Sequence, residues 1–217
     1  MARVFVIIGK SGSGKDTFFK TILSKKKEFN AYDINLIGII PYTSRPKRAE
    51  EHASEDIFYI PETECYTTPA YVFKDSAFFK EENHAKFIEH RVYAVANGEF
   101  WFYATPMFEP QGDNDYILIA TPEALPKIQD VFTRQFDTPV ITIMTTCDPR
   151  TRIGRMLDRI GKSPTAFQVK EQCRRFVSDE DDFSEEMLSK INRLIYIPST
   201  LSKRQMVDLF LNVYNER

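Results

Sequence analysis

Residues 4–17 read Val-Phe-Val-Ile-Ile-Gly-Lys-Ser-Gly-Ser-Gly-Lys-Asp-Thr. The apolar run Val4–Ile8 predicts a short buried strand. The glycines at positions 9, 12 and 14 let the backbone turn so that successive N–H groups converge on phosphate oxygens, and Lys15 adds a positive charge. A strand, a glycine-rich loop and a lysine in this order predict a phosphate loop, which wraps the phosphates of a nucleotide.

A helix is predicted to begin directly after the phosphate loop. Phe18, Phe19, Ile22 and Leu23 recur at helical spacing and form one apolar stripe. The positive end of this helix would face the bound phosphates. The predicted nucleotide-binding residues are therefore those of the loop and the first helical turn: Gly9, Ser11, Gly12, Ser13, Gly14, Lys15, Asp16 and Thr17.

Asp16 departs from the usual form of this motif. The residue after the lysine is normally a Ser or Thr whose hydroxyl binds magnesium, and here the hydroxyl is displaced to Thr17. A carboxylate is itself a hard oxygen ligand for Mg²⁺, directly or through water. We therefore predict a metal site at Asp16 and Thr17. The alternative for the whole stretch is a plain glycine-rich turn between a strand and a helix.

The composition is that of an ordinary globular chain. With 217 residues, 42% of them hydrophobic, one domain with insertions is expected. The net charge of −2 gives no global positive field for a nucleic acid polymer or an anionic membrane. The run Val4–Ile8 is too short for a signal peptide or a membrane span, so a cytoplasmic protein is expected. Three widely spaced cysteines match neither a disulfide framework nor a zinc site.

Strand and helix candidates alternate along the chain, which predicts a three-layer α/β/α fold with a mostly parallel sheet. The core is predicted to comprise 1–40, 107–149 and 184–217, closed by a helix over Ser202–Tyr214. The aromatic segment 41–106 breaks the alternation and is interpreted as an insertion over the active site, and 150–183 as a helical lid. The predicted core strands are Val4–Ile8, Ile34–Ile40, Tyr116–Ala120, Val140–Thr145 and Leu194–Ile197.

Three groups of residues outside the loop suggest a second substrate. Arg45 and Arg48 follow a predicted strand, where ligands bind in parallel sheets, and could hold a phosphate group; an exposed basic turn is the alternative. Glu89, followed by the aromatic stretch 101–103, could accept from the two adjacent donors of guanine; a helix-surface carboxylate and core aromatics are the alternative. The arginines of 150–183 could place positive charge around a moving phosphoryl group.

These motifs, in this order, resemble the guanylate kinases, which transfer a phosphoryl group from ATP to GMP. The resemblance covers nearly the whole chain and rests on residues 4–17, Thr43–Arg48, Phe87–Glu89, Tyr103–Thr105 and Arg155–Arg159. It implies magnesium-dependent catalysis in which ATP binds the phosphate loop. It implies that segment 41–106 binds the nucleoside monophosphate through Arg45, Arg48, Tyr59, Glu89, Tyr103 and Thr105. The implied catalytic residues are Lys15, Arg155, Arg159, Arg174 and Arg175.

The chain also departs from the family. The stretch Ile117–Thr121 lacks the aspartates that guanylate kinases carry there, a role that Asp16 could take. The Gly-Lys-Asp-Thr ending of the loop is similar to some phage deoxynucleoside monophosphate kinases. Three functions therefore stay open: a GMP or dGMP kinase, a broad-specificity deoxynucleoside monophosphate kinase, and a catalytically inactive protein-binding module. The expected partners are ATP and a nucleoside monophosphate, with no nucleic acid polymer and no membrane, in a monomer or homodimer.

Overall fold

The computed structural model describes residues 2–25, 34–43 and 85–215, together with the backbone of 58–59 and 66–67. The elements in chain order are β1 (Val4–Ile8), α1 (Lys15–Ser24), β2 (Leu36–Ile39), β3 (Tyr42–Thr43), β4 (Phe58–Tyr59), β5 (Tyr66–Thr67), β6 (Phe87–Ala94), β7 (Phe100–Pro106), β8 (Asp115–Ile119), α2 (Leu125–Asp130) continued by a π-helical turn (Val131–Gln135), β9 (Val140–Thr146), α3 (Pro149–Asp158), α4 (Ala166–Asp182), α5 (Glu185–Ser189), β10 (Leu194–Pro198) and α6 (Lys203–Asn215).

A parallel five-stranded sheet forms the centre of the fold, in the order β10-β9-β1-β8-β2. Val4 of β1 lies opposite Tyr116 of β8 on one side and Val140 of β9 on the other. All five residues of β1 are buried, because helices cover both faces of the sheet. This double burial explains why β1 is a continuous apolar run and why the predicted core strands are confirmed within a residue or two of their ends.

The two faces of the sheet carry separate apolar cores, which confirms the predicted three-layer α/β architecture. On one face Phe5 packs against Phe210 of α6 with ring centroids 5.1 Å apart, and Phe18 of α1 lies 6.4 Å from the same ring. On the other face Leu125 and Phe132 cover the sheet. The predicted helices after the phosphate loop and at the C-terminal end are both present, and their apolar stripes are buried or partly buried.

Segment 41–106 contains an antiparallel sheet in the order β3-β7-β6 and a separate two-stranded pair of β4 and β5. Strands β6 and β7 form a hairpin in which Arg91 lies opposite Tyr103 and Tyr93 opposite Trp101. The short strand β3 follows β2 after two residues and pairs with β7, placing Thr43 opposite Tyr103. This connection sets the hairpin beside the carboxyl-terminal edge of the parallel sheet.

Helices α3 and α4 form the helical hairpin that the sequence predicted for 150–183. Asp148 caps α3 by accepting a hydrogen bond of 2.9 Å from the Thr151 backbone N–H. Thr165 and Gln168 form a reciprocal capping box that fixes the start of α4. Within the described part of the chain, no helix is long and apolar enough to cross a membrane.

Candidate active site

The phosphate loop lies at a point where the connections of the parallel sheet diverge. The chain leaves β1 through α1 toward β2, whereas it leaves β9 through α3 and α4 toward β10 on the opposite side. In open α/β sheets a crevice forms outside the carboxyl ends of the strands at such a point, and ligands bind there. The loop Gly9–Lys15 connects β1 to α1 at this crevice.

Two loop glycines have backbone conformations that other residues adopt poorly, and one of them is also closely packed. Gly12 has a φ of +77°, and a Cβ there would lie 2.7 Å from the carbonyl oxygen of Arg152. Gly14, with a φ of +91°, is the N-cap of α1. Ser13 adds a buried hydroxyl contact of 2.7 Å to Thr145 of β9. The loop is thus a tightly packed structure whose shape depends on glycine at these two positions.

A buried ion pair holds the loop to helices α3 and α4. Asp179 accepts a hydrogen bond of 2.7 Å from the Ser11 backbone N–H and pairs with Arg152 Nη2 at 3.0 Å. Arg152 Nε in turn donates to the Ser11 carbonyl oxygen at 3.1 Å. Arg152 is 2% exposed, so this contact is shielded from solvent. No sequence motif points to Asp179, which lies 168 residues from Ser11.

Arg155 lies against the same loop from a different side. Its Nη1 donates to the Gly12 carbonyl oxygen at 3.2 Å and to Ser199 Oγ at 3.1 Å. It is not among the residues that line the cleft described below. The contacts that the structure describes for Arg155 therefore support the loop backbone.

A cleft of about 560 Å³ opens above the loop and gathers predicted residues from three parts of the chain. Its walls come from the loop and first turn of α1, from the helical hairpin, and from the β6–β7 hairpin. A volume of this size is typical of small-molecule sites. The lining residues with chemical interest are Lys15, Asp16 and Thr17 on the first wall, Arg159, Arg174 and Arg175 on the second, and Arg91, Tyr93, Trp101 and Tyr103 on the third.

The surroundings of Lys15 disfavour the charged form of its side chain. Partial burial lowers the pKa of Lys15, and the nearby positive charges of Arg175 and Arg159 lower it further. Asp16 and Asp179 act in the opposite direction and raise this pKa. An anionic phosphate in the cleft would relieve the crowding of positive charge around Lys15.

Arg174 is fixed in the cleft by a carboxylate on its own helix. Glu171 accepts from Arg174 Nη2 at 2.7 Å and from Arg174 Nε at 2.9 Å. The same carboxylate accepts from the Ala96 backbone N–H at 3.1 Å, at the turn of the β6–β7 hairpin. Glu171 thus joins α4 to the β6–β7 hairpin and fixes Arg174, a predicted catalytic residue.

Glu89 and Thr105, both predicted to contact the acceptor base, are brought together behind the third wall. Thr105 Oγ1 donates to Glu89 Oε1 at 2.5 Å, and Arg91 Nε lies 2.8 Å from Glu89 Oε2. Neither Glu89 nor Thr105 lines the cleft, whereas Arg91 does. Arg91 belongs to none of the motifs recognised in the sequence. Alternation along a strand would have placed it on the same face as Glu89, two residues earlier.

Asp16 and Thr17 are exposed and line the cleft at the start of α1. No group of three or more His, Cys, Asp or Glu side chains able to hold a metal occurs in the part of the chain that the structure describes. One carboxylate and one hydroxyl fit Mg²⁺, which is commonly bound through one or two carboxylates, substrate phosphates and retained waters. Arg45, Arg48 and the side chain of Tyr59 lie outside the described residues, so their predicted roles stay predictions.

No family model matches the sequence, and no curated protein matches it. Among solved structures, the chain is similar to the unliganded crystal structure of a sugar kinase from Janibacter sp. HTCC2649. The two are 13% identical, with a TM-score of 0.40, over 98% of this chain and 94% of that one. At this TM-score the likeness assigns no function to the chain.

Proposed function

We propose that this protein transfers the γ-phosphoryl group of ATP to a nucleoside monophosphate, with ADP and a nucleoside diphosphate as products. The expected acceptor is GMP or dGMP. The observation that carries this proposal is the cleft that joins a phosphate loop, three arginines of the helical hairpin and the wall formed by β6 and β7. Segments 41–106 and 150–183 would act as the monophosphate-binding insertion and the lid on the core.

The phosphate loop supplies the donor half of this site. Its backbone N–H groups and the N-terminus of α1 would hold the ATP phosphates, with Lys15 as a point charge beside them. Mg²⁺ held by Asp16 and Thr17 would neutralise phosphate charge. The low local dielectric of a closed cleft would strengthen all of these interactions.

The arginines of the helical hairpin supply positive charge for the transfer step. Arg159 and Arg175 lie close enough to Lys15 to influence its pKa, and Arg174 lines the same cleft. Phosphoryl transfer requires in-line positioning and charge stabilisation more than covalent chemistry. This arrangement therefore supports transfer between two bound nucleotides rather than simple nucleotide storage.

The aromatic wall supplies the acceptor half. Trp101 and Tyr103 line the same cleft and offer apolar surface for a base together with a phenolic hydroxyl. Arg45 and Arg48 are proposed to hold the acceptor phosphate. They follow β3, whose partner strand β7 carries Tyr103.

An ADP-release assay with each nucleoside monophosphate in turn tests the proposal. We expect at least one monophosphate to raise ADP release well above the ATP-only rate. Lys15→Ala should abolish that increase, whereas Lys127→Ala, at an exposed position on α2, should retain it. If no ribo- or deoxynucleoside monophosphate stimulates ADP release by the wild-type protein, the proposal is wrong.

A catalytically inactive binding module is the second candidate, favoured by the absence of an aspartate in Ile117–Thr121. Calorimetric titration separates the two, because a pure protein-binding module should bind neither ATP nor a monophosphate. The third candidate, a broad-specificity deoxynucleoside monophosphate kinase, would show comparable rates with several deoxynucleotides in the assay above.

A further inference from the structure

Arg91 lines the cleft and contacts Glu89, which does not line it. Arg91 Nη2 donates to Glu89 Oε1 at 3.2 Å, and Arg91 Nε lies 2.8 Å from Glu89 Oε2. Thr105 donates a third contact to Glu89 Oε1. The Glu89 side chain is only 1% exposed; Oε1 accepts two hydrogen bonds, and Oε2 lies within ion-pair distance of Arg91. In this arrangement Glu89 does not present an acceptor to a ligand in the cleft.

The other end of the Arg91 guanidinium reaches the cleft wall. Its Nη1 donates to Thr121 Oγ1, just beyond the carboxyl end of β8. Tyr93, two residues farther along β6, lies close to Arg91 and Thr121, and burial raises the pKa of its phenol. A guanidinium carries five N–H donors and no acceptor, so Glu89 and Thr121 together do not exhaust its capacity. Arg91, Tyr93 and Thr121 all line the cleft.

We propose that Arg91 recognises a carbonyl oxygen on the base of the acceptor nucleotide, and that Glu89 is a positioning residue that acts through Arg91. The inference rests on the proposed function. A base with a carbonyl group at this contact offers the acceptor that a guanidinium requires. Adenine and cytosine carry an amino donor where hypoxanthine and uracil carry the carbonyl. The substrate class is therefore 6-oxopurine or 4-oxopyrimidine monophosphates.

This mode of recognition differs measurably from direct reading of guanine by Glu89. A carboxylate would contact the N1–H and the 2-amino group of guanine, and hypoxanthine lacks that amino group. Arg91 would contact the 6-carbonyl, which guanine and hypoxanthine share. IMP is therefore the ligand that separates the two modes, and AMP is the ligand that tests whether the carbonyl matters.

The decisive experiment measures kcat/KM of the wild-type protein for GMP, IMP and AMP, with UMP and CMP as the matched pyrimidine pair. We expect the kcat/KM values for GMP and IMP to agree within about threefold. If purines are accepted, kcat/KM for IMP should exceed that for AMP by about 10- to 100-fold; if pyrimidines are accepted, UMP should exceed CMP by the same factor. A preference for GMP over IMP of about 100-fold, or equal use of IMP and AMP, overturns the role of Arg91. If neither these five nor their deoxy counterparts stimulate ADP release, the proposed function itself is wrong.

Two variants test the same inference by binding. Trp101 is the single tryptophan of the chain and lines the cleft, so its fluorescence reports acceptor binding without turnover. Arg91→Met should remove most of the discrimination between IMP and AMP, while ATP affinity measured by calorimetry stays within about twofold. Arg91→Met alone leaves the buried charge of Glu89 unpaired and could unfold the protein. The double variant Glu89→Gln/Arg91→Met removes both charges and should also lose most of the discrimination between IMP and AMP. Retained discrimination in a folded variant overturns the inference.

Discussion

The carboxylate of Asp179 accepts a hydrogen bond of 2.7 Å from the backbone N–H of Ser11. This contact joins the C-terminal part of helix α4 to the phosphate loop. Arg152 completes the arrangement, since it binds Asp179 at 3.0 Å and the Ser11 carbonyl oxygen at 3.1 Å. The loop that would hold ATP is therefore shaped by residues distant in sequence as well as by its own glycines.

Asp179→Ala should destabilise the protein and weaken ATP binding together. Removal of one partner from a buried ion pair costs about 3–5 kcal/mol, because Arg152 would keep a buried charge paired with the half-exposed Glu180 alone among the carboxylates that the structure describes around it. Urea unfolding measures the free energy, and calorimetry measures the ATP affinity. Asp181→Ala, at an exposed site on the same helix, is the control and should change stability by less than about 0.5 kcal/mol. Equal unfolding free energies for the two variants would contradict the structural role of Asp179.

Lys15→Met should stabilise the ligand-free protein while abolishing its activity. Burial lowers the pKa of Lys15 below its unfolded value, so the charged ammonium is disfavoured in the native state at neutral pH. The resulting loss of folding stability is largest below the native pKa and disappears as the pH rises from the native pKa to the unfolded pKa. Lys15→Met removes this loss of stability at pH 7. We expect a Tm higher by about 2–4 °C, the shift that roughly 1 kcal/mol gives in a chain of this size.

Lys127→Met is the matched control for Lys15→Met, because it removes an exposed ammonium. Its Tm and activity should equal those of the wild type. If the Tm of ligand-free Lys15→Met is at or below the wild-type value, the charged ammonium does not destabilise the native state, and the prediction is wrong.

Arg159→Ala and Arg155→Ala should have different kinetic effects although the two residues lie one helical turn apart. Arg159 lines the cleft, so its loss is expected to lower kcat by about 10³-fold, by analogy with other transferring arginines. Arg155 contacts the Gly12 carbonyl oxygen and Ser199, so its loss should act mainly on Tm and on KM for ATP. Arg204→Ala, exposed on α6, is the control. Equal losses of kcat at 155 and 159 would refute this division.

Tyr214→Phe should alter stability at alkaline pH. Burial and a hydrogen bond to Asp115 raise the pKa of Tyr214 to about 12. Between pH 10 and 12 the unfolded chain loses this phenolic proton while the native state keeps it, so wild-type stability falls as the pH rises. Tyr214→Phe should lose less stability than the wild type over this window in urea unfolding. Tyr196→Phe, at an exposed position on β10, should lose as much stability as the wild type over the same pH window. If Tyr214→Phe and Tyr196→Phe lose equal stability, the hydrogen bond from Tyr214 to Asp115 does not have the proposed effect.

The centre of the parallel core was predictable because strands β1, β8 and β9 are buried on both faces. Such strands are continuous apolar runs bounded by glycine or polar residues, as Val4–Ile8 is, and they need no alternation to be recognised. Helix α6 was equally predictable from the spacing of Met206, Phe210 and Val213.

Strand β6 could not be recognised in this way, because its polarity is inverted. Glu89 and Arg91 are buried on its inner face, while Val92 on the outer face is 43% exposed. A pattern with charges inside is typical of a site rather than of a core strand, and ordinary hydrophobic periodicity misses it. The Ser11–Asp179 contact was out of reach for a different reason, since no local pattern relates residues 168 positions apart.

Identification of the products tests the central claim most directly. The wild-type protein is incubated with ATP, Mg²⁺ and each nucleoside monophosphate, and the nucleotides are separated by anion-exchange chromatography. The account predicts ADP and one nucleoside diphosphate in equal amounts with an accepted monophosphate, and neither product with Lys15→Ala. ADP without any nucleoside diphosphate, or no turnover of ATP with any monophosphate, would contradict it.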